Sequence, residues 1–141
     1  MSQKITISAL IEANLEQTWN CYTLPTHITQ WNFAAHSWHC PHAENDLKVG
    51  GKYIARMEAK DGSFGFDFEG IYNKVELNKE LSYHLGATLG EGREVTTLFE
   101  HQGENTLVTT TFDPENENPV DMQKMGWQMI LDNFKSYVES I

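Results

Sequence analysis

The sequence predicts an α+β domain. A curved antiparallel β-sheet wraps around one long C-terminal α-helix, with two short helices after the first strand. Three observations carry this expectation. Apolar residues alternate with polar ones in repeated short runs between Tyr53 and Phe112, separated by turn residues. The final segment, Val120 to Ile141, changes to a helical period. The strands come as an uninterrupted run, which does not fit the strand–helix alternation of a parallel sheet. With 141 residues, no internal repeat and no linker, the chain reads as one domain over residues 1–141.

Each element has a local signal. In residues 3–12, Ile5, Ile7, Ala9 and Ile11 alternate with other positions, as in a half-buried strand. Asn14 can cap a short helix through Leu15, Trp19 and Tyr22. Pro25 opens a second helix carrying Ile28 and Trp31, because proline suits a first helical turn. Residues 32–49 read as irregular and end at Gly50-Gly51, a backbone conformation that a β-carbon would hinder. Tyr53, Ala55 and Met57 form one strand face, and Ile54, Arg56 and Glu58 the other. Asp61-Gly62 is the strongest hairpin turn, followed by Phe64, Phe66 and Phe68 and a strand through Tyr72 and Val75. Strands at Leu81–Leu85 and Val95–Phe99 flank a turn at Gly90-Glu91-Gly92, and Gly103-Glu104-Asn105 turns into Thr106–Phe112. A polar loop, Asp113 to Pro119, leads into the last helix, whose stripe is Trp127, Ile130, Leu131, Phe134, Val138 and Ile141.

Composition excludes several functions. Twenty acids against 10 bases give a net charge of −10. Binding to phosphate backbones or anionic bilayers needs clustered cations, so neither nucleic acid nor membrane is an expected partner. No apolar run approaches the roughly 20 residues of a membrane span. The start, Met1-Ser2-Gln3-Lys4, lacks the apolar region of a signal peptide. Cys21 and Cys40 show no paired spacing. The expected location is cytoplasmic, with reduced thiols.

The motifs point to a family. They are Ile11-Glu12-Ala13, Trp19, Pro25 and Trp31, then Trp38-His39-Cys40-Pro41, Ala43 to Leu47 and Gly50-Gly51. Arg56 to Gly62, Gly65-Phe66-Asp67-Phe68 and Gly70-Ile71-Tyr72 follow, then Gly126-Trp127, Ile130-Leu131, Phe134 and Tyr137. Together they resemble stand-alone members of the activator of heat-shock protein 90 ATPase homologue family, within the START-like (SRPBCC, helix-grip) superfamily. The resemblance covers nearly the whole chain. It implies a sheet that grips the C-terminal helix and encloses a mostly apolar cavity. Superfamily members include lipid and hormone binders, polyketide cyclases and co-chaperone domains, so fold alone does not fix function. The resemblance transfers no catalytic residues.

Within that frame, the residues expected to line a ligand cavity are Trp31, Trp38, Phe66, Tyr83, Phe99, Met125 and Trp127. A cavity of roughly 300 Å³ or more would suit an apolar or aromatic small molecule. The phenylalanines at 64, 66 and 68 are expected to face inward, because Asp67 and Glu69 lie opposite. Met122, Met125 and Met129 form a soft stripe that suits either a pocket end or core packing. His36, His39, Cys40 and His42 crowd one segment. Metal ligation there is disfavoured by the adjacency of His39 and Cys40 and by the lack of a second knuckle. A lid near the pocket mouth is preferred, and no metal or cofactor is expected. A nucleophilic Cys40 would need a hydrogen-bonded base, His39 or His42.

Three functions remain. The first is a non-enzymatic binder of an apolar small molecule. The second is an enzyme of the cyclase or hydrolase kind, needing Glu58, Glu69 or His84 inside the cavity. The third is a chaperone- or stress-related interaction domain with an exposed apolar patch. A homodimer through an open sheet edge is compatible with each.

Overall fold

The computed structural model describes residues 4–85, 93–115 and 118–141. Strand β1 (Ile5–Ile11) is followed by α1 (Leu15–Thr23) and α2 (Pro25–Trp31). Six strands come next: β2 (Trp38–Asn45), β3 (Lys52–Ala59), β4 (Gly65–Glu76), β5 (Glu80–Leu85), β6 (Glu94–Gln102) and β7 (Asn105–Phe112). Helix α3 (Val120–Ser140) ends the chain. The strands form one antiparallel sheet of seven, in the order β1-β7-β6-β5-β4-β3-β2. The first strand thus closes one edge beside the last, and the sheet curls around α3.

Local chemistry accounts for the boundaries. The Asn14 side chain accepts from the Gln17 backbone N–H at 2.8 Å, satisfying a free donor at the start of α1. Pro25 occupies the first turn of α2. Asp61-Gly62 turns β3 into β4, with Gly62 at φ +78° and Asp61 Oδ1 accepting from Ser63 N–H. The backbone conformation expected at Gly50-Gly51 is found at Gly50, with φ +85°, and at Gly51 a β-carbon would stand 2.0 Å from the Asp46 carbonyl oxygen. The turn expected at Gly90-Glu91-Gly92 lies outside the described residues.

The structure corrects the sequence reading in four places. Residues 38–45 are not irregular but form edge strand β2, interrupted by a bulge where His39 opposes Glu58 and His42 opposes Arg56. The bulge puts His39 and His42 on the outer face, near Glu58 (3.8 Å) and Glu44 (3.5 Å), and buries Cys40. Cys40 Sγ donates to the His42 carbonyl at 3.4 Å, not to an imidazole, so the nucleophile–base pair is not assembled. Second, Phe64 and Phe66 are 55% and 42% exposed. Phe66 does share the inner face of Met57, its register partner, and lines the cavity, but it stands at the mouth and is open to solvent. Third, Met122, Met125 and Met129 are exposed and form no core, and of the two alternatives only Met122 takes the pocket end. Fourth, Ile141 ends the chain exposed instead of extending the buried stripe.

Helix α3 is fastened to one side of the sheet. Gln128 Nε2 and Lys135 Nζ donate to the Ser8 and Leu10 carbonyls at 3.2 and 2.6 Å. The Glu139 carboxylate accepts from Glu12 N–H at 2.8 Å. Close backbone approach of α3 is to β1, with lesser approach to α1 and α2. Leu131, Phe134 and Val138 are buried there, with Phe134 edge-on to Trp31 and Tyr22. The first half of α3 stands away from β3, β4 and β5.

Two outcomes are expected. Gly51→Ala should destabilise the fold by about 2 kcal/mol or more, because the obstruction is backbone and cannot swing aside; urea denaturation measures this, and an unchanged midpoint would refute the close approach. Burial pushes the Cys40 thiol up to about 11 and also raises that of Cys21. At pH 8 the native protein should therefore react with a thiol-specific disulfide reagent far more slowly than the urea-unfolded chain. Rapid native labelling at Cys40 would contradict this burial.

Candidate functional site

The gap between α3 and β3–β5 is a cavity of about 410 Å³. Its inner part is walled by residues with little solvent exposure: Ile7 from β1, Trp31 from α2, Tyr53 from β3, Tyr83 from β5 and Leu131 from α3. Met57, Phe68, Trp127 and Ile130 continue the apolar wall. The more exposed liners, Phe66, Met122 and Asn118, mark the mouth, where Glu115 and Arg93 also reach it. Trp127 is fixed as a wall by stacking on Phe112, with ring centroids 4.0 Å apart and planes at 14°.

A few neutral polar groups interrupt the apolar lining. Asn32 Nδ2 donates to the Tyr53 hydroxyl at 2.7 Å. The Tyr22 hydroxyl lies 3.3 Å from Thr97 Oγ1, which in turn is 3.0 Å from Thr110 Oγ1. Burial raises the phenols of Tyr22, Tyr53 and Tyr83 above the usual tyrosine range. For Tyr22, hydrogen bonds to Thr97 and Thr110 offset part of this, and for Tyr53 the bond to Asn32 does so. All three are therefore neutral near pH 7.

The mouth is held by Gln123. Its Oε1 accepts from Glu115 N–H at 2.8 Å, and its Nε2 donates to the Glu115 and Asn118 carbonyls at 3.2 and 2.8 Å. One buried amide on α3 thus ties down the loop entering the helix. Arg93 reaches the same loop, donating from Nε to the Asp113 carbonyl at 3.0 Å.

Of the seven residues expected to line the cavity, four do: Trp31, Phe66, Tyr83 and Trp127. Three lie elsewhere. Trp38 sits on β2 with its ring against Phe64 and Phe66. Phe99 is buried beneath α1, edge-on to Trp19 and Tyr22. Met125 is 64% exposed, on the outer side of α3. None of His36, His39, Cys40 and His42 lines the cavity, while Trp38 of the same segment packs against Phe66 at the mouth. Among the described residues no group of three or more His, Cys, Asp or Glu side chains converges as a metal site would require.

The side chains named for catalysis are also outside. Glu58 lies opposite to Tyr53 and Met57 on β3 and accepts from Arg56 Nε at 2.9 Å. Glu69 opposes Ile54 on the same outer face. His84 follows inward-facing Tyr83 and lies beside Asn73 (3.4 Å) and Glu94 (3.8 Å). Strand alternation sends all three away from the gap. The sequence reading missed Tyr22, Asn32, Tyr53, Met57, Arg93, Gln123 and Gly126. Tyr53 and Met57 were signalled by their shared strand face, whereas Arg93 and Gln123 carry no pattern of their own.

Comparison with known proteins places this geometry. The family model described as "Activator of Hsp90 ATPase homolog 1-like protein" matches residues 12–139. No curated protein matches the chain. The solution structure of an AHSA1-like protein from Aeromonas hydrophila is 43% identical, covers 98% of this chain and 93% of its own, and superposes with a TM-score of 0.89. A Cytophaga hutchinsonii protein is 44% identical over 97% of this chain and 92% of its own, with a TM-score of 0.80. A Chromobacterium violaceum protein, at 18% identity and a TM-score of 0.84 over 97% of this chain and 98% of its own, shares the fold. Seven antiparallel strands curved about a C-terminal helix, a family model spanning nearly the whole chain and relatives above 40% identity agree: the chain belongs to the family of activator of Hsp90 ATPase homologue 1-like proteins, with the helix-grip fold.

Proposed function

We propose that this protein is a non-enzymatic binder of an apolar or aromatic small molecule, held between the sheet and the first half of α3. The observation that carries this reading is Gly126. It lies in the interior of α3 and lines the cavity, four residues from Met122 and four from Ile130, which line it too. A β-carbon added there would meet no atom within 4 Å, and Gly126 is not among the glycines with positive φ. Neither close packing nor backbone conformation requires glycine. In a helix interior it costs about 0.5–1 kcal/mol relative to alanine. A glycine that widens an apolar cavity at the expense of helix stability fits a site kept open for a ligand. The cavity volume lies within the range of small-molecule pockets, and its polar groups are few.

A second reading has one observation of its own. Val120, Met122, Met125 and Met129 expose an apolar stripe on α3, as an interaction domain would. A Met125→Lys/Met129→Lys variant separates the two readings, because neither side chain lines the cavity. Ligand binding should survive it, whereas capture of a chaperone partner through this stripe should not.

The binder reading is tested with N-phenyl-1-naphthylamine, a neutral apolar fluorophore. It should bind one per chain with blue-shifted emission. Gly126→Ala should raise stability by about 0.5–1 kcal/mol in urea titrations. Gly126→Phe should keep the circular dichroism of the fold and weaken dye binding at least about tenfold, by occupying the space. Absence of dye binding, or binding indifferent to Gly126→Phe, would count decisively against the proposal.

A further inference from the structure

The cavity mouth contains a cation, Arg93, that forms no ion pair with a carboxylate among the described residues. The chain has two arginines, Arg56 and Arg93. Arg56, on the outer face, is saturated, with Glu58 at 2.9 Å and Asp67 at 3.4 Å. Arg93 lines the cavity and, among the described residues, has no carboxylate within 4.0 Å. Its one side-chain hydrogen bond among those residues runs from Nε to the Asp113 carbonyl, which leaves the two terminal nitrogens uncommitted there. A guanidinium remains charged at every physiological pH and presents a planar fork matched to a carboxylate.

Nearby acids are engaged elsewhere. Asp113 pairs with Lys4 Nζ at 2.9 Å and accepts from Glu94 N–H at 2.9 Å. Glu94 accepts from Asn73 Nδ2 at 3.1 Å and lies 3.8 Å from His84. Glu115, the other charged liner, accepts from Asn118 Nδ2. Among the described residues, Asp113, Glu94 and Glu115 each have a closer partner than Arg93, although the Arg93 charge does act on Asp113. A partly buried cation beside apolar walls is stabilised by an anion brought to it.

We infer that the ligand of this cavity carries an anionic head, a carboxylate in the simplest form, which pairs with Arg93 at the mouth while its apolar body lies along Met57, Phe68 and Trp127. The inference rests on the binder reading above and specifies the ligand's chemical class: an amphipathic organic acid. The few polar groups of a pocket set ligand orientation, so the head stays at the mouth and the tail points toward Tyr53 and Tyr83.

The test compares decanoate with 1-decanol by calorimetry on the full chain at low ionic strength. Decanoate should bind about tenfold or more tightly, as expected for a charge-assisted pair. Arg93→Met should reduce decanoate affinity to that of decanol and leave decanol unchanged. Arg93→Lys should restore the preference for decanoate. Equal binding of acid and alcohol by the wild-type protein would overturn the inference and leave the binder reading intact. So would equal weakening of both by Arg93→Met, the signature of an arginine that only anchors the Asp113 carbonyl. If neither alkyl compound binds, the inference fails, and the naphthylamine titration shows separately whether the binder reading fails with it.

Discussion

Everything else in this structure depends on where α3 is fastened. An edge strand presents unpaired N–H and C=O groups that would otherwise recruit another chain. Here Gln128 and Lys135 of α3 occupy the Ser8 and Leu10 carbonyls of β1, and Glu139 takes the Glu12 N–H. The same contacts protect the edge and fix the helix laterally. With α3 held beside β1, the far side of a curved sheet cannot also close on it. The opening toward β3–β5 is thus a consequence of the docking and not a defect in packing. The other edge, β2, is treated differently: Pro41 removes a donor, the bulge disrupts the ladder, and Asn45 donates to the Thr23 carbonyl at 2.7 Å.

The gap persists because its walls resist collapse. On one side Trp19, Tyr22, Trp31, Phe99 and Phe134 form a continuous edge-on and stacked cluster. These rings fill the space under the second half of α3 and hold α1 and α2 against it. On the other side, Tyr53 is pinned through its hydroxyl by Asn32, and Tyr72 donates to Asn45 Oδ1 at 2.7 Å. Moving either ring inward would break a buried hydrogen bond, at a cost of about 1–3 kcal/mol. Trp127 is already committed to Phe112. Apolar burial would favour closing the gap, but the wall residues Tyr22, Tyr53 and Trp127 have directional contacts that closing would break.

The fold was legible because the period of the apolar pattern changes where the elements change. Ile5, Ile7 and Ile11, the Asn14 cap, Pro25, and the Asp61-Gly62 turn each took the role their chemistry suggests. β2 was hidden because its bulge shifts the alternation at Cys40–Pro41, so no period of two survives. The site was only partly legible. Alternation tells which face a residue is on, not whether anything covers that face. Phe66 and Phe68 share the inner face and both line the cavity, yet Phe66 is the more exposed. Met125 and Trp127 are two residues apart on α3, and helical geometry puts them about 200° apart, one toward solvent and one toward the cavity. Arg93 and Gln123 depend on a loop whose course has no sequence period to reveal it.

The distribution of charge bears on whether such a cavity reacts or recognises. Proton transfer near neutral pH needs a group that can give or take a proton there. Glu58, Glu69 and His84, the acid and base candidates on β3, β4 and β5, lie on the convex face, and Glu58 is tied to Arg56 there. The phenols that line the cavity belong to Tyr22, Tyr53 and Tyr83, and burial drives all three further from neutral pH. Groups held in one protonation state, oriented by Asn32 and Thr97, offer fixed donors and acceptors. Such groups suit discrimination among ligands better than acid–base turnover, and a permanently charged guanidinium at the mouth has the same character. The electrostatic layout and the cavity shape therefore favour the same reading: among the described residues Glu58, Glu69 and His84 lie outside the cavity, its inner wall is neutral, and its entrance carries Arg93 and Glu115.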